Sequence, residues 1–258
     1  MLFPILLLLS SIAPQDSARA PAQQQTLDQV LADEGLRVDL ERGLVGMPAS
    51  VLVREELLEY VLVGPRGATH ESLFLTDVKP SILNTALLLL GVEPGRNATI
   101  RRSESEEEAA SRFDVTPPSG DGFFLYAGWR EGEETYFFRV EDLVANLETR
   151  RTLPRHRWVY LGSRFRVPRG KTEEVFVADL EENLISLCFF YEGNTLLTAR
   201  PPECEIQTIW IANSWLVPPR GEPVEILFSR ERLDRLPDGW SAALPVVGAG
   251  EDEDAGDE

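Results

Sequence analysis

Residues 57–95 read LLEYVLVGPRGATHESLFLTDVKPSILNTALLLLGVEPG, and this stretch decides how the rest of the chain is interpreted. Apolar and β-branched residues predict a strand over 57–63 and a second strand over 70–75, with a Gly/Pro turn between them. A proline that suits the first turn of a helix and a glycine that suits its end bracket the apolar run that follows. The stretch therefore predicts a β-hairpin followed by a short, buried helix.

Short strand-like runs, separated by clusters of Gly, Pro, Asn or Asp, continue along the chain. They predict an α+β fold: a mostly antiparallel β-sheet, with a buried short helix at about 80–90 and one amphipathic helix at about 141–149. The strand-like runs are 36–40, 50–53, 57–63, 70–75, 122–129, 135–140, 158–161, 174–180, 184–191, 204–211 and 223–228.

The length of 258 residues is enough for one domain with a substantial core. The predicted domain spans residues 36–242 and follows a spacer or short helix at 21–35. A charged, Pro-rich segment at 101–120 is interpreted as a flexible loop inside this domain. Residues 243–258 are small or acidic and predict a disordered tail.

The formal net charge is −18, and it is concentrated in two places. Residues 251–258 (EDEDAGDE) carry six acidic side chains and residues 104–108 (ESEEE) carry four, so about −8 remains for the rest. Nonspecific binding to nucleic acid or to anionic lipid requires a positive surface. We therefore expect no nucleic-acid partner.

The N-terminus is typical of an exported protein. Leu2–Ala13 (LFPILLLLSSIA) has the length of a signal-peptide core and is too short to span a membrane. Ala18-Arg19-Ala20 supplies a cleavage site, so residues 1–20 are predicted to be a signal peptide and the mature protein to be periplasmic or secreted. In the alternative, the run is a buried N-terminal helix of a cytoplasmic protein. No later segment predicts a transmembrane span.

The chain contains two cysteines, Cys188 and Cys204. In an oxidising compartment they could form one disulfide, and the alternative is two separate buried thiols that pack as small hydrophobic residues. Two cysteines without a paired spacing do not supply the ligands of an iron–sulfur cluster or a structural zinc site. No metal or cofactor is predicted.

Several short motifs occur in a fixed order between residues 36 and 228. The combination resembles the YdjY-like domain family of bacterial exported proteins, and this resemblance implies no established reaction, substrate or catalytic residue. The motifs are Leu58-Glu59-Tyr60, His70-Glu71-Ser72, the helix Val78–Gly91, Val92-Glu93-Pro94-Gly95, Glu141-Asp142-Leu143, Trp158–Ser163 and Leu216–Gly221.

Three residues of the opening stretch are weak catalytic candidates. Strand alternation places Glu59 and Glu71 on apolar faces, which a suitable register would bring together, while His70 points the other way from Glu71. Two neighbouring carboxylates raise the pKa of one of them and can share a proton or hold a cation. In the alternative, each carboxylate meets an arginine or a backbone N–H, or lies at a solvated edge.

A basic segment at residues 150–171 holds seven arginines and one lysine and has no acidic residue. Arg155, Arg157, Arg164 and Arg166 are candidates for binding an anion, because guanidinium groups match carboxylates and phosphates. In the alternative, these arginines pair with the protein's own acids, such as those at 104–108 or in the C-terminal tail.

The sequence therefore predicts a non-catalytic binding or assembly module, exported to the bacterial envelope, whose partner is an envelope protein or an anionic polymer. The alternative is a hydrolase or a metal-assisted enzyme that uses Glu59, His70 and Glu71. Known motifs for a nucleophile elbow, a zinc-binding helix or a phosphate-binding loop are missing from the sequence.

Overall fold

The alternating pattern of the sequence produces many short strands. The structure, a computed structural model, describes residues 27, 29–102 and 113–248. Within these residues there are three short helices: α1 (residues 29–33), α2 (Pro80–Leu89) and α3 (Val177–Glu181). Single 3-10 turns lie at Thr69–Glu71, Val140–Leu143, Pro202–Glu205 and Ser241–Ala243. The strands are β1 (Arg37–Asp39), β2 (Leu44–Val51), β3 (Tyr60–Val63), β4 (Ser72–Leu75), β5 (Thr99–Arg102), β6 (Phe113–Thr116), β7 (Gly122–Glu131), β8 (Glu134–Arg139), β9 (Val144–Asn146), β10 (Trp158–Tyr160), β11 (Phe165–Arg166), β12 (Val175–Phe176), β13 (Asn183–Ser186), β14 (Leu197–Thr198), β15 (Trp210–Ala212) and β16 (Pro223–Ser229).

Eight strands of the described chain close into a barrel. Their order around the ring is β2-β16-β7-β10-β14-β13-β3-β4, and β4 pairs with β2 to complete it. The extra strands β1 and β8 pair with β2 and β7 from outside the ring. The predicted α+β fold is therefore wrong, because the sheet is a closed barrel and the described chain holds only short helices. Closure depends on contacts between distant segments, which local patterns do not reveal.

The pairing of β3 with β4 also differs from the prediction. The two strands are parallel, with Tyr60 opposite Ser72 and Val63 opposite Leu75, so residues 57–75 do not form a hairpin. The connection between them carries the chain back along β3 through the turn at Thr69–Glu71. Glu182 fixes this connection, because its backbone oxygen accepts the Gly64 N–H at 2.7 Å and its carboxylate pairs with Arg66 at 2.6 Å.

Large apolar side chains fill the barrel. Phe74, Phe123 and Trp158 are fully buried in one continuous cluster, and Leu83 of α2 belongs to the same cluster. The predicted helix at 80–90 is present as α2, but it buries only one face, since Leu88 on the other side is 49% exposed. Thus α2 covers the barrel core from outside.

The predicted amphipathic helix at about 141–149 does not form. Val140–Leu143 make a single 3-10 turn, and β9 then pairs with β15. The side-chain oxygen of Asn146 accepts the backbone N–H groups of Glu148 and Thr149, both at 2.9 Å, and so closes a turn where the helix was expected. The strand predicted over 174–180 is also wrong, since α3 occupies most of it.

Several predicted segments lie partly or wholly outside the described residues. These include the signal peptide at 1–20, most of the spacer at 21–35, residues 103–112 of the predicted loop, and the end of the acidic tail. The flanks of the loop form the antiparallel pair β5–β6. Val247, in the predicted tail, donates its N–H to the Arg130 carbonyl at 2.8 Å. No helix among the described residues is long and apolar enough to cross a membrane.

Replacing Gly122 by alanine should destabilise the barrel strongly, because the new Cβ would lie 1.8 Å from the backbone oxygen of Trp158 on the neighbouring strand. Such overpacking against backbone should cost about 3 kcal/mol of unfolding free energy. Gly128→Ala is the matched control on β7, since its Cβ would meet the flexible methyl end of Leu244 at 3.2 Å and the Tyr136 backbone oxygen only at 3.4 Å, an ordinary contact distance. Urea unfolding of both variants checks this, and equal losses would contradict the register of β7 against β10.

Candidate functional site

The parallel pairing of β3 and β4 brings the three weak catalytic candidates together. The Glu59 N–H donates to the Glu71 carbonyl at 2.9 Å, and Nε2 of His70 lies 3.5 Å from the Glu71 carboxylate. Burial raises the pKa of Glu59, the charge of Glu71 raises it further, and His70 opposes this effect. The charges of the two carboxylates thus interact, as the sequence predicts. The strands that bring them together are parallel, however, and not the antiparallel hairpin that was expected.

This group lies at the protein surface rather than in an enclosed site. The side chain of His70 is 82% exposed and that of Glu71 is 26% exposed. Among the described residues, no set of three His, Cys, Asp or Glu side chains has an arrangement that could hold a metal ion. What this geometry supports is an electrostatic coupling in which the charge of Glu71 raises the pKa of Glu59.

The two cysteines are free and buried in the structure. The Cys188 thiol contacts the Leu58 carbonyl at 3.8 Å, and the backbone of Phe189 donates to the Cys204 carbonyl at 2.9 Å. Burial raises the pKa of both thiols. Because the thiolate is the reactive form, neither side chain is an activated nucleophile.

All four arginines proposed as anion ligands form ion pairs with described acids of the same domain, in turns, loops and α3. The partner acids are not those in segment 104–108 or the C-terminal tail, which lie outside the described residues. The pairs are Arg155–Asp142 at 2.8 Å, Arg157–Asp121 at 3.0 Å, Arg164–Glu192 at 3.4 Å and Arg166–Glu181 at 3.8 Å.

Two of these arginines nevertheless line a large surface cleft together. Segments 117–119, 154–157 and 200–203 enclose about 710 Å³, and we call this space the arginine cleft. Arg155, Arg157 and Arg200 line it, whereas Arg164 and Arg166 do not. Five prolines also line the cleft, and their fixed backbone angles make its walls rigid. Sequence reasoning missed Arg200, which is separated from the basic segment along the chain.

His156 forms part of the arginine cleft in its neutral form. Its Nδ1 donates to the Pro154 carbonyl at 2.8 Å, so Nε2 is an acceptor, and this atom has no hydrogen-bond partner among the described residues. Burial lowers the pKa of His156 to about 4, and the charges of Arg139 and Arg200 lower it too. The imidazole therefore carries no charge at neutral pH, and the arginines supply the positive charge of the cleft.

A buried ion pair holds this wall of the cleft in place. The guanidinium of Arg139, at the end of β8, donates two hydrogen bonds to Glu141, whose side chain is fully buried. Arg139 also donates to the His156 carbonyl at 2.5 Å, and the His156 N–H donates to Glu141 at 3.2 Å. Arg139 and Glu141 thus fix both backbone groups of His156, and with them the position of its sequence neighbours Arg155 and Arg157.

Comparison with family models gives one match, to a family described as the YdjY domain, and it covers residues 36–229. This range contains every strand of the barrel and all three segments of the arginine cleft. Neither curated proteins nor solved structures give a match.

The buried His156 should make the protein less stable in mild acid. In the unfolded chain histidine takes up a proton near its ordinary pKa of 6.5, whereas in the folded protein it does so only near pH 4. The free energy of unfolding should therefore fall as the pH drops through this window, by up to about 1.4 kcal/mol per pH unit. His156→Gln should remove this contribution, which urea titrations between pH 7 and 4 would detect. A constant difference between variant and wild type would contradict the prediction.

Proposed function

The chain belongs to the YdjY domain family, and from this premise we propose that it is a non-catalytic binding or assembly module of the bacterial envelope. Its ligand is an anionic polymer, which it binds in the arginine cleft. The envelope location rests on the apolar run at Leu2–Ala13 and the small residues of the cleavage site that follows.

The excess of three arginines over one carboxylate, that of Glu203, in the lining of one cleft carries this proposal. Arg200 forms no ion pair with any described residue, and the side chain of Arg155 is 65% exposed despite its contact with Asp142. Asp121 is shared between Arg157 at 3.0 Å and Arg230 at 3.7 Å, so one carboxylate faces two positive charges. The cleft therefore retains positive charge for a ligand in a chain whose net charge is negative.

The arginines also keep free hydrogen-bond donors. Arg155 uses Nε and one terminal nitrogen on Asp142, which leaves its other terminal nitrogen available. Guanidinium groups donate planar pairs of hydrogen bonds to carboxylates and phosphates. Rigid proline walls lower the ordering cost of binding, since less of the cleft must be immobilised when the ligand arrives. An open cleft with repeated donors suits a polymer that bears regularly spaced anionic groups.

The arrangement of polar groups in the cleft favours binding over catalysis. Ser119 and His156 both line the cleft, but Nε2 of His156 accepts no hydrogen bond from the Ser119 hydroxyl. A histidine with a pKa of about 4 is also a poor general base at neutral pH. The geometry thus lacks the contact between nucleophile and base on which hydrolases of the serine type depend.

Arg200→Ala should weaken binding of polygalacturonate, a polymer of uronic acids, about tenfold at low salt. A hydrogen bond to a charged group contributes roughly 1.5–3 kcal/mol, which corresponds to at least that factor. Calorimetric titration measures the affinity, with uncharged dextran as the control polymer. Arg164→Ala is the matched control, because Arg164 is a half-exposed arginine that does not line the cleft. Equal weakening by both substitutions, or no binding by wild type, would reject the arginine cleft.

A second candidate function, a hydrolase, is favoured by the electrostatic coupling of Glu59 and Glu71. If these carboxylates act as proton donor and acceptor on a substrate, the wild-type protein should hydrolyse p-nitrophenyl acetate, and Glu59→Gln and Glu71→Gln should each slow this turnover about tenfold. The absorbance of released p-nitrophenol measures the turnover. No turnover by the wild-type protein, or turnover that is unchanged in both folded variants, would exclude this enzyme. The same variants should bind polygalacturonate as wild type does.

A further inference from the structure

Strand β8 lies on the open edge of the main sheet. It pairs with β7 in an antiparallel hairpin, and among the described residues it has no other strand as a neighbour. The barrel continues from β7 to β10, which pairs with the first residues of β7, so β8 projects outside the ring. Its residues Tyr136, Phe137 and Phe138 are only partly buried. An aromatic edge strand of this kind is a site at which another strand can add.

The backbone groups available at this edge can be identified from the other edge of β7. The N–H of Arg130 donates to the Pro245 carbonyl and its own carbonyl accepts the Val247 N–H, both at 2.8 Å. Both groups of Arg130 therefore point away from β8. In an antiparallel pair, the residue opposite such a position also points both of its groups outward. That residue is Thr135, and by alternation Phe137 has the same orientation.

These outward groups are unoccupied within the part of the chain that the structure describes. No backbone hydrogen bond joins residues 135–138 to a described residue outside β7. The N–H and carbonyl groups of Thr135 and Phe137 thus form a short hydrogen-bonding edge, spaced as a β-ladder requires.

Two clefts of different chemistry flank this edge, one on each face of the strand. The aromatic cleft, about 300 Å³, is lined by Trp129, Tyr136, Phe138 and Trp215, and the Trp215 side chain is 95% exposed. The rings of Trp129 and Tyr136 stack at 5.7 Å. The buried Nε of Arg54, which also lines this cleft, has no hydrogen-bond partner among the described residues.

The polar cleft, about 240 Å³, lies on the opposite face of β8, beside Phe137 and Arg139. Three guanidinium groups and two carboxylates line it, those of Arg139, Arg155, Arg232, Asp142 and Asp234. The charge of Arg139 is balanced by its ion pair with the buried Glu141. Arg232 instead pairs with Asp234 in an exposed contact of 2.9 Å. Exposed pairs of this kind contribute little, so Arg232 can exchange its partner for an incoming acid.

We propose that β8 is the docking edge for an extended segment of a partner protein, in which apolar and acidic residues alternate. The segment adds to the sheet beside β8 and hydrogen-bonds to Thr135 and Phe137. Since side chains of a strand alternate between faces, its apolar residues lie over the aromatic cleft and its acidic residues over Arg232 and Arg155. A narrow segment fits better than a second copy of the barrel, because the loops at 214–219 and 232–234 line the two flanking clefts. This interaction is separate from the arginine cleft, with which it shares only Arg155.

A matched pair of substitutions at Thr135 tests the proposal. Thr135→Pro removes the outward N–H, while Thr135→Ala keeps it, and both lose the same contact with Ser241. The probe is a capped heptapeptide in which aspartate alternates with valine or phenylalanine, and binding is followed by tryptophan fluorescence. We expect Thr135→Pro to bind at least tenfold more weakly than wild type and Thr135→Ala to bind within twofold of it. An edge strand tolerates proline, and circular dichroism checks that both variants fold.

Two further peptides keep the proposal testable if Thr135→Pro fails to fold. The first has lysine in place of aspartate and should bind the wild-type protein at least tenfold more weakly, because it loses the charge contacts. The second is N-methylated at alternate residues on its hydrogen-bonding side and should bind equally weakly, because it loses the backbone hydrogen bonds. Arg200→Ala should bind the original peptide as wild type does, which separates this result from that of the arginine cleft. Equal binding by the two Thr135 variants, or binding of the lysine peptide as tight as that of the aspartate peptide, would overturn the proposal.

Discussion

The pairing of Ser50 and Val51 with Leu75 and Phe74 closes the barrel, and the rest of the structure depends on it. Residues 44–50 of β2 pair with β16, whereas its last two residues, Ser50 and Val51, pair with β4. The Thr76 hydroxyl strengthens the junction by donating to the Pro48 carbonyl at 2.8 Å. Closure removes the free edges of the ring, so among the described residues the open edges belong to strands outside it. Of these strands, β8 forms the proposed docking edge and also contacts the arginine cleft, through the hydrogen bond from Arg139 to the His156 carbonyl.

The ion pair of Arg139 and Glu141 connects these two surfaces. Arg139 ends β8, while the contacts of both residues with the His156 backbone shape the wall of the arginine cleft. Burying two charges is costly, so an ion pair of this kind fixes geometry more than it adds stability. Because the guanidinium also lies over Phe124, at 5.1 Å from its ring centre, it is held by packing as well as by charge. A ligand in the cleft and a segment on β8 would therefore meet one rigid element.

The parts of the fold that local chemistry determines were predictable. Pro80 and Gly91 indicated the helix that became α2, and the runs at 122–129 and 223–228 became the long strands β7 and β16. The parallel pairing of β3 with β4 was not predictable, because it depends on contacts with Glu182, far along the chain. The helix expected at about 141–149 failed for a similar reason, since β15 offers a distant partner for β9.

The site was predictable to a similar degree. Strand pattern indicated that Glu59 and Glu71 could be neighbours, and composition singled out Arg155 and Arg157. Neither signal could find Arg200, because only the folded chain brings segment 200–203 into the same cleft as segment 154–157. The ion pairs of the four arginines could not be predicted either. They depend on acids that are scattered along the sequence and that only the fold places beside the arginines.

The position of β16 beside β2 has a consequence for the order in which the chain can fold. β2 pairs with β16, which lies near the end of the domain. The ring therefore cannot close until nearly the whole domain has been synthesised. Chains dominated by such distant contacts fold slowly, since the entropy of bringing their ends together is lost before the contacts form. Until then β2 can pair only with β1 and β4, and the edge that β16 covers in the folded barrel stays open, the kind of unpaired edge that makes an incompletely folded chain prone to aggregation.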